Sequence, residues 1–190
     1  RPMTARLILV CHGSTEATRR RAFPRDEPLD DRSKARAVAL AGRLPRADCC
    51  WTSAALRARE TAAALRLSAS VEPKLRECDY GRWAGRSLSE IAAHESDAAE
   101  AWRHDPAAAP HGGESVLDLI RRVAAWLADE LARDRRSIAV THATIIRAAI
   151  VHVLDAPPPS FWRIDVAPLS VTRLSGTGGR WTVLSSGCAP

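Results

Sequence analysis

Lysine is almost absent from these 190 residues: among 28 basic side chains only Lys34 and Lys74 are lysines. The net charge of +6 and the pI near 9.6 therefore come from arginine. No basic block interleaves with aromatic residues, and the longest arginine run is Arg19-Arg20-Arg21. The pattern that tracks a nucleic-acid backbone is missing, and a basic pocket for a small anion accounts for the charge as well. Long apolar runs are missing too. None approaches the roughly 20 residues of a membrane-spanning helix, and Leu7 to Val10 is too short for the apolar segment of a secretory signal. The five cysteines are odd in number and contain no CxxC pair, which argues against a disulfide framework and a structural zinc site. The expectation is a cytoplasmic protein in a reducing setting, with no membrane and no nucleic acid among its partners.

What is present reads as alternating strands and helices in one domain, 1–190, with enough apolar residues (46%) for a substantial core. The run Leu7-Ile-Leu-Val10 stops at Cys11-His12-Gly13, the mark of a buried parallel strand. Residues 14–31 are polar and interrupted by Pro24 and Pro28, which predicts a long surface loop. Helices are expected over 33–44, from a Ser53 cap to about Leu67, from Ser87 with Glu90 in a capping box, over 114–133 and over 144–154. Short strands are expected at 48–52, from Val71, at 137–141, and late at 163–174 and 180–185. This alternation implies an α/β three-layer sandwich, a mainly parallel central sheet with helices on both faces.

Two segments share a design. Leu-Ile-Leu-Val-Cys-His12-Gly13 and Ser-Ile-Ala-Val-Thr-His142-Ala143 each place a histidine at the carboxyl end of a buried strand, followed by a small residue. Ligands of open parallel sheets bind at that edge. Gly13 and Ala143 would let backbone N–H groups approach an anion, helped by a helix N-terminus. A single such histidine is as well explained by packing; two in matching contexts point to a site. His94, His104, His111 and His152 lie in helices or connections, with His111 beside Gly112 the best of them, and no spacing among the six histidines suggests a metal cage. Arg57 and Thr61 share a helical face, and the segment from Leu75 to Gly85 carries Glu77 and Asp79 among glycines. Taken alone, these read equally as a solvated helix and a surface loop.

In this order the segments resemble the histidine phosphatase superfamily, the phosphoglycerate mutase-like proteins. The resemblance covers most of the chain and includes Pro28-Leu29 ahead of the helix at Ala35, and His111-Gly-Gly-Glu-Ser115 ahead of the long helix. It implies that His12 attacks phosphorus and becomes a phosphohistidine, and that Arg57 and His142 hold the phosphoryl oxygens. It implies that Glu77 protonates the leaving oxygen and then helps activate water, with Asp79 as fallback acid. Ser14, Thr15 and Thr18 fall where the family's loop touches phosphate or substrate. No metal or organic cofactor is implied; the partner is a small phosphorylated metabolite, and the protein a monomer or homodimer. The compact chain is more similar to the small phosphatases than to the mutases. Ala101-Trp102 and Ser160-Phe-Trp162-Arg-Ile-Asp165 resemble segments of α-ribazole-phosphate phosphatases; a sugar or nucleotide phosphate is the other expectation, and Trp162 reads equally as core.

The chain departs from the family motif at Cys11, where Arg-His-Gly is the rule, and at Thr18, where the family has asparagine. A lost arginine removes charge-assisted hydrogen bonds to a phosphoryl oxygen. Arg19, Arg20, Arg21 and Arg147 are candidates to refill the space. The other readings are a slow or altered enzyme and a degenerate, non-catalytic phospholigand-binding protein. Cys11 near Cys78 would make a redox switch or a metal perch, and a thiol beside His12 and Arg57 would have a lowered pKa; a packed thiol is the plain alternative.

Overall fold

The computed structural model describes residues 4–190. Strands β1 (Ala5–Cys11), β2 (Cys49–Thr52), β3 (Ala69–Val71), β4 (Arg136–Thr141), β5 (Val171–Thr177) and β6 (Arg180–Cys188) form one sheet in the order β3-β2-β4-β1-β5-β6. The first four are mutually parallel, while β5 runs antiparallel to β1 and β6 antiparallel to β5. The fold is α/β with a mainly parallel sheet, as the alternation predicts. In β1, Leu7, Leu9 and Cys11 enter one hydrophobic cluster and Ile8 and Val10 the other. That two-residue alternation, apolar on both sides, is why the strand reads as an unbroken apolar run.

The helices are α1 (Glu16–Arg20), α2 (Asp31–Ala39), α3 (Leu56–Ala64), α4 (Leu88–His94), α5 (Ser96–His104), α6 (Val116–Ala132) and α7 (Ala143–Val153). Helix α6 buries Leu119, Val123, Trp126 and Leu127 along one side, and the Ser115 side chain caps it by accepting from the Asp118 amide. The Ser87/Glu90 capping box forms as expected at α4.

Several expectations fail locally. The loop predicted over 14–31 contains α1, a polar five-residue helix with no apolar stripe to announce it, started by a Thr15/Thr18 capping box. Helix α3 starts at Leu56 with no side-chain cap, because Ser53 is used elsewhere. The α2 helix ends at Ala39 rather than 44, and the late strand begins at Val171 rather than 163, since a 3-10 turn over Pro158–Arg163 and a loop precede it.

Candidate active site

Strand register assembles the site. Cys11 pairs with Thr141 across the β1–β4 ladder, so the next residue of each chain segment, His12 and His142, leaves the sheet at the same level. Their ring centroids lie 5.1 Å apart with planes at 70°. On the far side of β4, Thr52 of β2 pairs with Val140, and the chain turns into α3, whose first turn carries Arg57. Strand β3 leads through a 3-10 turn at Pro73–Leu75 to Glu77. Four residues distant in sequence thus meet beyond the carboxyl ends of four parallel strands.

Arg57 is the hub. It is 2% exposed. Its Nε donates to His12 Nε2 at 3.2 Å and its Nη1 to the Arg25 carbonyl at 2.8 Å. Its Nη2 lies 3.2 Å from His142 Nδ1 and 3.4 Å from Glu77 Oε2. Glu77 Oε2 is also 3.3 Å from His142 Nδ1. Glu77 Oε1 accepts from the Cys78 amide at 2.9 Å and, closely, from the Thr144 hydroxyl.

These contacts fix the tautomer of His12. His12 Nδ1 sits 2.7 Å from the Gly13 carbonyl, which can only accept, so Nδ1 carries the proton. Nε2 then holds an unprotonated lone pair, which Arg57 Nε faces. His142 Nδ1 lies between groups of opposite demand, the Arg57 guanidinium at 3.2 Å and the Glu77 carboxylate at 3.3 Å, and its Nε2 is 2.8 Å from Ser53 Oγ, a hydroxyl that can donate or accept. Burial, then the neighbouring His142 and Arg57, push the His12 pKa down to about 3. Burial, then Arg57 and Arg122, hold His142 well below the ordinary imidazole value. Both rings are neutral at neutral pH.

That neutrality has a cost in acid. Between about pH 6.5 and 3 the unfolded chain protonates His12 while the folded chain does not, so stability falls as pH falls through this window, by up to about 1.4 kcal/mol per pH unit for each such ring. Urea denaturation at pH 7, 6, 5 and 4 checks this. A slope unchanged in His12→Phe and His142→Phe variants would contradict the assignment.

The cavity above these groups has a volume of about 780 Å³. Cys11, His12, Thr15, Thr18, Arg57, Glu77 and Ala143 line it, as do Arg21, Arg147, Trp102 and Trp162. Other predicted site residues are placed elsewhere. The Gly13 amide donates to Thr61 Oγ1 at 3.1 Å and the Ser14 amide to Ser33 Oγ at 2.8 Å; neither residue lines the cavity. Gly13 is small for packing, since a Cβ there would lie 3.0 Å from Ser33 Cβ and 3.1 Å from Leu29 Cδ2. Asp79 does not line the cavity either: its carboxylate accepts from the Gly81 amide at 2.9 Å and its carbonyl from Glu114 N at 2.8 Å. That second contact explains Gly112-Gly113. A Cβ on Gly113 would lie 2.0 Å from the Asp79 carbonyl oxygen, so glycine lets this segment back the loop that carries Glu77. His111 is buried away from the cavity, with Nδ1 accepting from the Gly113 amide at 3.0 Å. Of the arginines proposed to refill the space at Cys11, Arg21 and Arg147 reach the cavity; Arg19 and Arg20 do not line it.

The cysteine pair is not assembled. All five cysteines are free thiols, and the Cys78 sulfur faces the Glu114 carbonyl at 3.5 Å. Burial, followed by the Glu77 charge, pushes the Cys11 thiol up to about 12, and burial raises Cys78 further. Neither thiol is activated, contrary to the lowered pKa considered from sequence.

The ligand atoms of His12, Glu77 and His142 lie within 4.8 Å of one another, close enough to hold a metal ion. Arg57 faces all three, so its guanidinium already supplies positive charge where a cation would sit. The sequence reading missed the supporting shell of Ser33, Ser53, Thr61 and Thr144. Only Thr61, four residues after Arg57 on the same helical face, had a visible signal. No helix among the described residues is long and apolar enough to cross a membrane.

The chain is similar to known proteins over most of its length. A Mycobacterium tuberculosis protein described as bifunctional is 31% identical over 192 residues, covering 91% of this chain and 51% of that protein. The chain thus spans about half the length of such relatives. A glucosyl-3-phosphoglycerate phosphatase of Mycobacterium tuberculosis is 30% identical over 204 residues, covering 97% of this chain and 87% of the other. The solved structure of mycobacterial glucosyl-3-phosphoglycerate phosphatase matches with a TM-score of 0.86 at 28% identity, over 98% of this chain and 100% of that one. The profile of the Histidine phosphatase superfamily (branch 1) matches residues 7–189. With the two strand-end histidines sharing one arginine, the chain belongs to the histidine phosphatase superfamily.

Proposed function

We propose that the chain is a phosphomonoesterase working through a phosphohistidine on His12. The observation that carries this reading is a neutral His12 whose Nε2 lone pair is held against the Arg57 guanidinium, both residues lining a cavity that Glu77 also lines. In the first step Nε2 attacks phosphorus, the N–P bond forms and the P–O bond to the leaving group breaks. Glu77, in its acid form, delivers its proton to the departing oxygen. The Arg57 guanidinium stabilises charge on the equatorial oxygens, and His142, buried behind it and not part of the cavity wall, orients that guanidinium. In the second step the Glu77 carboxylate takes a proton from water, the new O–P bond forms, the N–P bond breaks, and His12 returns with its lone pair. Thr144, bonded to Glu77 Oε1, keeps the other carboxylate oxygen turned to the reacting atoms. No metal enters either step.

The cavity is larger than a phosphoryl group needs. Trp102 and Trp162, with ring centroids 4.3 Å apart, give the cavity an apolar wall, and Arg21 and Arg147 also line it. A substrate with a substantial organic part fits this space, and free thiols at all five cysteines fit a cytoplasmic setting. A screen of several hundred phosphorylated metabolites tests the reading. Glucosyl-3-phosphoglycerate, sugar phosphates, nucleotides and α-ribazole phosphate belong in it. Purified protein that releases phosphate from none of them would favour the non-catalytic, ligand-binding alternative.

Glu77→Gln separates the two roles of the carboxylate. With alkyl phosphates its kcat should fall by about 10²- to 10⁴-fold. With p-nitrophenyl phosphate, whose leaving group needs no proton, the variant should release a burst of nitrophenol stoichiometric with enzyme and then slow. Equal losses on both substrates with no burst would remove Glu77 from the acid role.

A further inference from the structure

A phosphomonoester brings a charge near −2 into a site whose two imidazoles are neutral. Arg57 offers one positive charge, and Glu77 already faces it at 3.4 Å. At position 11 the cavity wall is a thiol, without charge and without a strong donor. The anion therefore needs a second cation close to His12.

Arg147 meets that need. It stands on the second turn of α7, five residues after His142, and lines the same cavity as Cys11 and His12. Its guanidinium makes no hydrogen bond or ion pair among the described residues, and its Nε is buried without a partner. The Phe161 ring lies 5.8 Å beneath it and holds it by a cation–π contact. Two other partly buried arginines are matched: Arg122 with Glu114 at 2.7 Å, Arg86 with Glu95 at 2.5 Å. Withdrawing a guanidinium from water without a partner is costly, which makes an anion its natural complement. Its charge also acts on position 11, drawing the Cys11 thiol downward, although burial and Glu77 outweigh it.

We propose that Arg147 is a phosphoryl-binding residue, its guanidinium reaching the phosphoryl oxygens from the side of the cavity that Cys11 leaves open. Arg57 and Arg147 then clamp the group from two sides, and the small side chain at position 11 is what gives Arg147 access. The inference rests on the phosphatase reading for its purpose, but not for its test.

Orthovanadate, an oxyanion with no organic part, is the probe. Its affinity is measured by calorimetry for the wild type, Arg147→Gln, Arg147→Lys and the double variant Cys11→Arg/Arg147→Gln. Arg147→Gln should weaken binding about 100-fold, and Arg147→Lys, which keeps the charge but loses the fork, by less. The double variant should bind at least about tenfold tighter than Arg147→Gln, because an arginine at position 11 supplies the same donors. Circular dichroism and melting establish that each variant folds, and Arg147→Lys carries the test if Arg147→Gln does not. Vanadate affinity within twofold of wild type in Arg147→Gln and Arg147→Lys would overturn the proposal. So would a double variant no tighter than Arg147→Gln, or a loss confined to esters carrying a second anionic group. A wild type that binds vanadate through Arg147 yet hydrolyses no ester would sink the phosphatase reading and leave this inference standing.

Discussion

Replacing His12 with alanine should lower kcat by about 10⁴-fold or more on every phosphomonoester the wild type accepts. The size follows from chemistry that no neighbour can supply. His142 is the only other imidazole within reach, but its Nδ1 is engaged by Arg57 and Glu77 and its Nε2 by Ser53. The ring that would have to attack is therefore held at both nitrogens. Arg57 and Glu77 would remain, so weak binding of phosphate should survive while turnover disappears. Brief incubation with radiolabelled substrate and acid-free quenching reads out the intermediate: label should appear on wild type as a base-stable, acid-labile adduct and be missing from His12→Ala. A variant that keeps more than a few per cent of wild-type turnover would mean that some other group forms the bond to phosphorus.

Arg57→Met should cost about 10²- to 10³-fold in kcat and shift the pH profile as well. The methionine preserves much of the buried stem volume, so the change isolates the guanidinium. Arg57 is one of the groups that pull the His12 pKa down, after burial and His142. Its removal lets that pKa rise, and activity that requires a neutral His12 should be lost at higher pH on the acid side than in the wild type. The rate loss and the displaced acid limb come from the same charge and should appear together. Stability should fall by about 1–3 kcal/mol, because Glu77 and the Arg25 carbonyl lose their partner. Urea denaturation measures the last effect and pH–rate profiles the first two. An acid limb that does not move would show that Arg57 does not set the protonation of His12.

Arg57 and Arg147 illustrate two uses of one side chain. Arg57 has its donors directed at His12, His142, Glu77 and the Arg25 carbonyl, and so holds the site in place before substrate arrives. Arg147 has no such commitments. In a site with a thiol at position 11, that freedom matters more than proximity alone.

The residues announced wherever physics acts over a few positions. The apolar run of β1 ending at His12, its counterpart ending at His142, the stripe of α6 and the Ser87/Glu90 box depend on strand alternation, helical period and capping, all of which leave marks within one or two turns. The ordered set of motifs was enough to reach the family. Register and strand order left no such mark. The adjacency of β4 to both β1 and β2 brings His12, His142 and Arg57 together, and it arises from pairing segments 130 and 88 residues apart. The hydroxyls that hold the site are equally hidden: Thr61 serves Gly13 across 48 positions and Ser53 serves His142 across 89. Ser53 and Gly13 consequently drew local explanations, a helix cap and an anion contact, that packing replaced. The tautomer of His12, the closure of Glu77 onto Thr144 and the unpaired state of Arg147 exist only once the chain is folded, because each depends on which polar atoms the sheet brings within three to four ångströms and which it leaves without a partner.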